Sequence, residues 1–150
     1  MLNKEENLKN HFTVFTYGTL MKNFEGYDKF MRHCRFIGKG YINGFLYHTF
    51  SGYPAVIPDE ENGEKVFGEL YEVGTDTMKE IRRYEGVNSF LTCYEERTVN
   101  VTFDGKKAGA RAFTVTASRE FLVKLTSRLV KYGDWRHFLN NSGRRRSIVT

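Results

Sequence analysis

Short runs of apolar, aromatic and β-branched residues, separated by polar and glycine-containing turns, recur along this 150-residue chain and predict β-strands. Two such runs are residues 12–17 (FTVFTY) and 65–73 (KVFGELYEV). Residues 92–103 and 106–115 flank Asp104-Gly105, a dipeptide typical of two-residue hairpin turns. Residues 36–58 are aromatic and interrupted by glycine, which is typical of strands that bend sharply.

Apolar residues at spacings of three and four predict two helices in the first half of the chain. The first covers residues 25–36. The second runs over residues 75–84 and ends at Gly86, and it carries Thr77 and Glu80 in the spacing of a capping box.

A third helix is predicted over residues 118–133, followed by a short turn at residues 134–139. One face of this helix would carry five apolar side chains: Phe121, Leu122, Leu125, Leu129 and Tyr132.

Strands dominate this order, with helices between and after them, and such a pattern favours an α+β domain. We predict a compact single domain over residues 12–139, with a small, strongly bent, barrel-like mixed β-sheet flanked by short helices. A polar segment, residues 1–11, precedes the domain, and a basic tail, residues 140–150, follows it. A chain of this length is suited to one hydrophobic core.

Composition and charge exclude several classes of partner. No run of about 18 apolar residues exists, so a membrane-spanning segment is not expected, and the polar N-terminus favours the cytoplasm. The net charge is +5, but without Arg144, Arg145 and Arg146 it would be +2. We interpret the basic tail as a solvated end rather than as a nucleic-acid-binding element.

No pattern predicts a metal or a cofactor. Cys34 and Cys93 are isolated thiols, and the four histidines are scattered without metal-ligand spacing. Gly38, Gly40 and Gly44 are spaced G-x-G-x-x-x-G, one residue longer than the dinucleotide-binding fingerprint, and no helical pattern follows them.

Glu85 is the most informative titratable residue. Met78, Ile81 and Glu85 lie at i, i+3 and i+7, so the carboxylate shares the helix face used for burial. Burial and the nearby helix C-terminus would both raise its pKa, as a general acid/base working near neutrality requires. The alternative is that the helix ends one residue early and Glu85 reaches solvent.

The segment Tyr17–Leu20 (YGTL) ends the first predicted strand. It could be an ordinary turn. Alternatively, Gly18 lets the backbone approach a ligand closely, and the consecutive N–H groups of Gly18, Thr19 and Leu20 form a nest for a carboxylate.

Four marks, in order, resemble the γ-glutamylcyclotransferase-like family, in particular its small γ-glutamylamine cyclotransferase, AIG2-like and BtrG-like members. They are VFTYGTL, then GYPAVIP with KVFGELYEV, then IRRYEGV with Tyr94, and finally KYGDW. The match covers roughly residues 12–139.

The resemblance implies a small barrel-like fold and a metal-independent reaction without a cofactor. The segment matching Tyr17–Leu20 would bind the γ-glutamyl group, and the residue matching Glu85 would be the catalytic acid/base. The substrate's own α-amino group would attack its γ-carbonyl, giving 5-oxoproline and a released amine or amino acid. Tyr53, Tyr94 and Trp135 are candidates to line the pocket.

Departures from the family leave the leaving group open. Phe113 stands where relatives often carry tyrosine, and Met21-Lys22 stand where many relatives place an arginine. A non-catalytic small-molecule-binding domain, a basic nucleic-acid-associated module and a cysteine hydrolase using Cys93 are the alternatives. Oligomeric state is not predicted.

Overall fold

The computed structural model describes residues 11–86 and 94–141. The strands are β1 (His11–Thr16), β2 (Arg35–His48), β3 (Pro54–Pro58), β4 (Glu64–Gly74), β5 (Tyr94–Phe103), β6 (Lys106–Val115) and β7 (Arg128–Leu129). The helices are a short, wide turn α1 (Tyr27–Met31), α2 (Thr75–Glu85), α3 (Glu120–Thr126) and α4 (residues 135–141). Single turns of tight helix cover Ala117–Arg119 and Lys131–Gly133.

Five strands close into a barrel. Neighbouring strands follow the order β2-β4-β1-β6-β5, and β5 returns to β2 where Thr102 pairs with Tyr41. The β1–β6 pair is parallel and the other pairs are antiparallel, so the sheet is mixed. The predicted α+β fold with a small barrel-like mixed sheet is therefore confirmed.

The two faces of the barrel strands carry separate apolar clusters. Inside the barrel, Phe15, Leu46 and Leu70 belong to a cluster to which all five strands contribute. Outside it, Met78 and Ile81 of α2 pack with Val14 and Val73. Both layers exist because successive strand residues point to opposite faces, so the adjacent apolar residues Val14 and Phe15 pack into different clusters.

Three local predictions are confirmed. Asp104 and Gly105 form the β5–β6 turn with φ values of 52° and 73°, the left-handed pair that a two-residue hairpin requires. Strand β2 is irregular between Phe36 and Gly38, as expected for a bent strand. Helix α2 ends at Gly86, as predicted.

The predicted start of α2 is wrong in one respect. The helix begins after Gly74 without a side-chain cap, so Thr77 and Glu80 do not form a capping box.

The predicted long helix over residues 118–133 is wrong. Helix α3 ends at Thr126, Ser127 is extended, and Arg128 and Leu129 pair with the edge of β2. The buried hydrophobic residues of this region are Val123 and Val130, whereas the five residues of the predicted apolar face are all exposed. The edge of β2 carries unpaired backbone N–H and C=O groups. Pairing Arg128 and Leu129 with this edge outweighs the helical preference that the spacing indicated.

The predicted turn at residues 134–139 is also wrong, because residues 135–141 are helical. Asp134 starts α4: its Oδ1 accepts the His137 N–H at 3.0 Å, and its carbonyl accepts the Phe138 N–H at 3.0 Å. An aspartate before an apolar residue is a common N-cap, and this signal was present in the sequence. No helix in the described residues is long and apolar enough to cross a membrane.

Candidate active site

A cavity of about 500 Å³ opens between the end of β1, the end of α2 and the start of β3. Its size falls in the range usual for small-molecule sites. The lining residues are Phe15, Thr16, Tyr17, Gly18, Thr19, Leu20, Glu25, Ser51, Tyr53, Pro54, Tyr84, Glu85, Gly86, Tyr94 and Phe113. The structure thus places the Tyr17–Leu20 segment and Glu85 on one cavity.

The Tyr17–Leu20 segment is fixed from both sides. The Tyr17 side chain is buried, and its hydroxyl donates to the carbonyl of Phe113 at 2.5 Å. The Gly18 carbonyl accepts from Met21, and the Thr19 carbonyl accepts from Gly26. Within the described part of the chain, the N–H groups of Gly18, Thr19 and Leu20 donate no hydrogen bond, so they are available to an anionic or carbonyl oxygen.

Glycine is required at position 18 for packing. A Cβ there would lie 2.3 Å from Cγ of Pro54, far inside van der Waals contact. The glycine therefore lets the loop lie directly against β3 at the cavity wall. The structure therefore gives this glycine a packing role against Pro54 at the edge of the cavity.

Glu85 is the last residue of α2, and the helix stays regular up to it. Gly86 takes the left-handed conformation, φ 71°, and its N–H caps the carbonyls of Arg82 and Arg83. Because Met78 and Ile81 are fully buried on the same stripe, Glu85 is carried to the cavity rather than to bulk solvent.

Burial raises the pKa of Glu85 from 4.5 to about 7. The residue keeps partial solvent access along the cavity, yet protein atoms surround its carboxyl group and disfavour the charged form. At neutral pH, both the acid and the base forms of Glu85 are therefore populated.

Two tyrosines connect the walls of the cavity. The Tyr84 hydroxyl lies 3.4 Å from Oγ1 of Thr19, joining the end of α2 to the loop. The Tyr94 hydroxyl donates to the carbonyl of Pro54, joining β5 to the start of β3. These contacts fix the end of α2 against the Tyr17–Leu20 segment and fix β5 against the start of β3 at the cavity.

The three predicted aromatic lining residues differ in their positions. Tyr53 and Tyr94 line the cavity. Trp135 does not, which corrects the prediction: it is 2% exposed and stacks on His48 and on Phe138, which also contact each other, in the barrel core. A tryptophan that opens a short helix over an apolar cluster gains more by burial than by facing a wet cavity.

Sequence analysis missed several lining residues. Glu25 begins the helical segment that leads into α1, and Ser51 lies in the turn between β2 and β3; nothing in the sequence marked either polar side chain as part of a site. Tyr84 also lines the cavity, and its position next to the candidate acid Glu85 was a signal that could have identified it. Phe113, singled out as a departure, lines the cavity and supplies the carbonyl that holds Tyr17.

The described residues give no support to metal-dependent or cysteine-based chemistry at this site. In residues 11–86 and 94–141, no cluster of three metal-ligating side chains occurs. Cys34 is half-buried, and burial raises the pKa of its thiol, which disfavours the reactive thiolate. Cys93 lies outside the described residues.

Comparison with known proteins now adds to this geometry. Residues 14–137 match the family model described as gamma-glutamyl cyclotransferase, AIG2-like. The chain belongs to this family. It is 29% identical over 128 residues to "Putative gamma-glutamylcyclotransferase" of Methanocaldococcus jannaschii, covering 83% of this chain and 96% of that one. A protein of the same name from Halalkalibacterium halodurans is 33% identical over 104 residues, covering 67% of this chain and 86% of that one.

Solved structures share the fold. An AIG2-like protein from Mus musculus superposes with a TM-score of 0.65 at 19% identity, covering 84% of this chain and 88% of that one. YkqA from Bacillus subtilis gives 0.69 at 20% identity, where 89% of this chain matches 43% of that longer protein. At these identities the likeness establishes the fold alone.

Proposed function

We propose that this member of the family is an active γ-glutamyl cyclotransferase that converts a γ-glutamyl amine or γ-glutamyl amino acid into 5-oxoproline. The observation that carries the proposal is the cavity shared by Glu85, with a pKa of about 7, and by the open amides of Gly18, Thr19 and Leu20. An acid/base and an oxyanion- or carboxylate-binding loop are the two parts that such a cyclisation requires.

The reaction is intramolecular, so positioning supplies much of its acceleration. Glu85, as the carboxylate, accepts a proton from the substrate α-ammonium group, and the freed amine attacks the γ-carbonyl carbon. The ring C–N bond forms, the γ-amide C–N bond breaks, and Glu85 returns its proton to the leaving nitrogen. In total two protons leave the ring nitrogen and two join the leaving nitrogen, which departs as an ammonium ion.

The loop amides stabilise negative charge during this sequence. Held by the bond from Tyr17 to Phe113 and by the contact of Gly18 with Pro54, they need little reorganisation when an oxyanion or the substrate α-carboxylate arrives. A pKa near 7 lets Glu85 both take and return the proton at neutral pH. We propose a cytoplasmic location for this activity.

The test is 5-oxoproline release from a panel of γ-glutamyl amines and γ-glutamyl amino acids, compared for wild type, Glu85→Gln and Glu80→Gln. Glu80 lies on the same helix but is exposed, so Glu80→Gln is the matched control. We expect turnover in wild type and the control and a loss of at least about 100-fold in Glu85→Gln. Turnover that survives Glu85→Gln refutes its role, and no turnover on any substrate favours a binding-only domain.

A further inference from the structure

A second cavity, of about 860 Å³, lies on the outer face of β2 and β4, away from Glu85. Three cross-strand pairs cover this face: Phe36 with Tyr71, Lys39 with Glu69, and Tyr41 with Phe67. Directly opposed residues share a face, so a charged pair lies between two aromatic pairs. All six residues line the cavity.

Glu69 is the unusual member of this face, because a carboxylate that is only 6% exposed is rare. Its Oε1 receives the Lys22 N–H at 2.7 Å and the Tyr71 hydroxyl at 3.3 Å. Its Oε2 accepts no hydrogen bond from the described residues. One oxygen is therefore satisfied by the protein, and the other remains able to receive a donor.

Arg136, from α4, supplies the opposite charge. Its Nη2 lies 3.9 Å from Oε1 of Glu69, beyond hydrogen-bond distance, and its Cζ lies 5.0 Å from the ring centre of Phe24. None of its five donors makes a hydrogen bond within the described part of the chain. A guanidinium with open donors is the side chain best suited to hold a carboxylate.

The geometry points to a second ligand site in this cavity for a free α-amino acid with an apolar or aromatic side chain. Its carboxylate binds Arg136, with Lys39 on the same face, its ammonium group binds Oε2 of Glu69, and its side chain packs on the Tyr41–Phe67 pair. In an α-amino acid the carboxylate and the ammonium group are attached to the same carbon, which suits a guanidinium and a carboxylate that lie next to each other. This site does not depend on the proposed cyclotransferase reaction.

The alternatives fit less well. A simple cation would be repelled by Arg136 and Lys39, and a simple anion would be repelled by Glu69. Asp104 and Asp134 lie on the rim, but Asp134 already caps α4 through His137. Opposite charges in balance favour a ligand that carries both.

The test compares three probes on the wild-type chain: L-phenylalanine, phenethylamine, which lacks the carboxylate, and 3-phenylpropionate, which lacks the ammonium group. Binding is followed by amide chemical shifts, which also report the site. We expect L-phenylalanine to bind about tenfold or more tightly than either analogue, with shifts at Gly40 and Gly68. Equal binding of all three, or shifts confined to Gly18 and Gly86, overturns the proposal.

Variants test each charge separately. Arg136→Gln should weaken L-phenylalanine about tenfold and leave phenethylamine unchanged. Glu69→Gln should remove the preference for L-phenylalanine over 3-phenylpropionate. The ratio of the two affinities is a valid measure even if the variant is less stable, because both ligands are measured on the same protein. Arg83→Gln, an exposed arginine on α2, is the control and should change nothing. An unchanged ratio in Glu69→Gln contradicts the ammonium contact.

Discussion

Replacing Glu85 by glutamine should change the pH dependence of folding stability in a way that can be calculated. Burial raises its pKa from 4.5 in the unfolded chain to about 7 in the folded protein. Between these values the unfolded chain releases the proton and the folded protein retains it. Stability from this group is therefore complete below pH 4.5, falls as the pH rises, and is lost above about pH 7.

The magnitude follows from the two pKa values. Each tenfold change in proton affinity corresponds to about 1.4 kcal/mol, so the rise from 4.5 to about 7 corresponds to about 3 kcal/mol. Glu85→Gln cannot ionise and removes this dependence. Relative to wild type, the variant should therefore gain about 3 kcal/mol of unfolding free energy between about pH 4 and about pH 8.

Urea unfolding of both proteins across this pH range gives the difference directly. Any constant effect of the amide cancels, because only the change with pH is used. Glu80→Gln, on the exposed face of α2, is the control for replacing a glutamate on this helix. A flat difference for Glu85→Gln would mean that Glu85 is solvated, and the argument for a pKa near neutrality would fail.

Three further predictions concern the framework of the site. Gly18→Ala should destabilise the fold by about 1–3 kcal/mol and reduce turnover, because its Cβ would meet Pro54 at 2.3 Å. Gly109→Ala is the matched control, since the nearest atom there is 3.7 Å away; equal urea midpoints for the two variants would contradict the packing argument. Gly86→Ala should cost about 1 kcal/mol by urea unfolding, because its φ of 71° is strained for alanine, and no loss would mean that the helix end rearranges without cost. Trp135→Ala should lower the unfolding free energy by about 3–5 kcal/mol, because Trp135 packs in the core. KM should be unchanged at a temperature where the variant is folded. A raised KM with unaltered stability would mean that Trp135 contacts the substrate.

Sequence alone determined the elements whose signals are local. Runs of apolar and aromatic residues marked the strands, Asp104-Gly105 marked the hairpin, and the stripe of Met78, Ile81 and Glu85 marked a carboxylate on a buried helix face. These predictions succeeded because period, turn chemistry and helix geometry depend on neighbouring residues only.

Tertiary structure decided what depends on distant partners. Pairing with β2 made Arg128 and Leu129 a strand, and the predicted helix ends at Thr126 instead of continuing to residue 133. Barrel closure placed the Tyr17–Leu20 amides and Glu85 on one cavity and took Trp135 into the core. The sequence contains the side chains of the site, but the distances among them arise only when the barrel closes, because contacts between remote segments have no local signature.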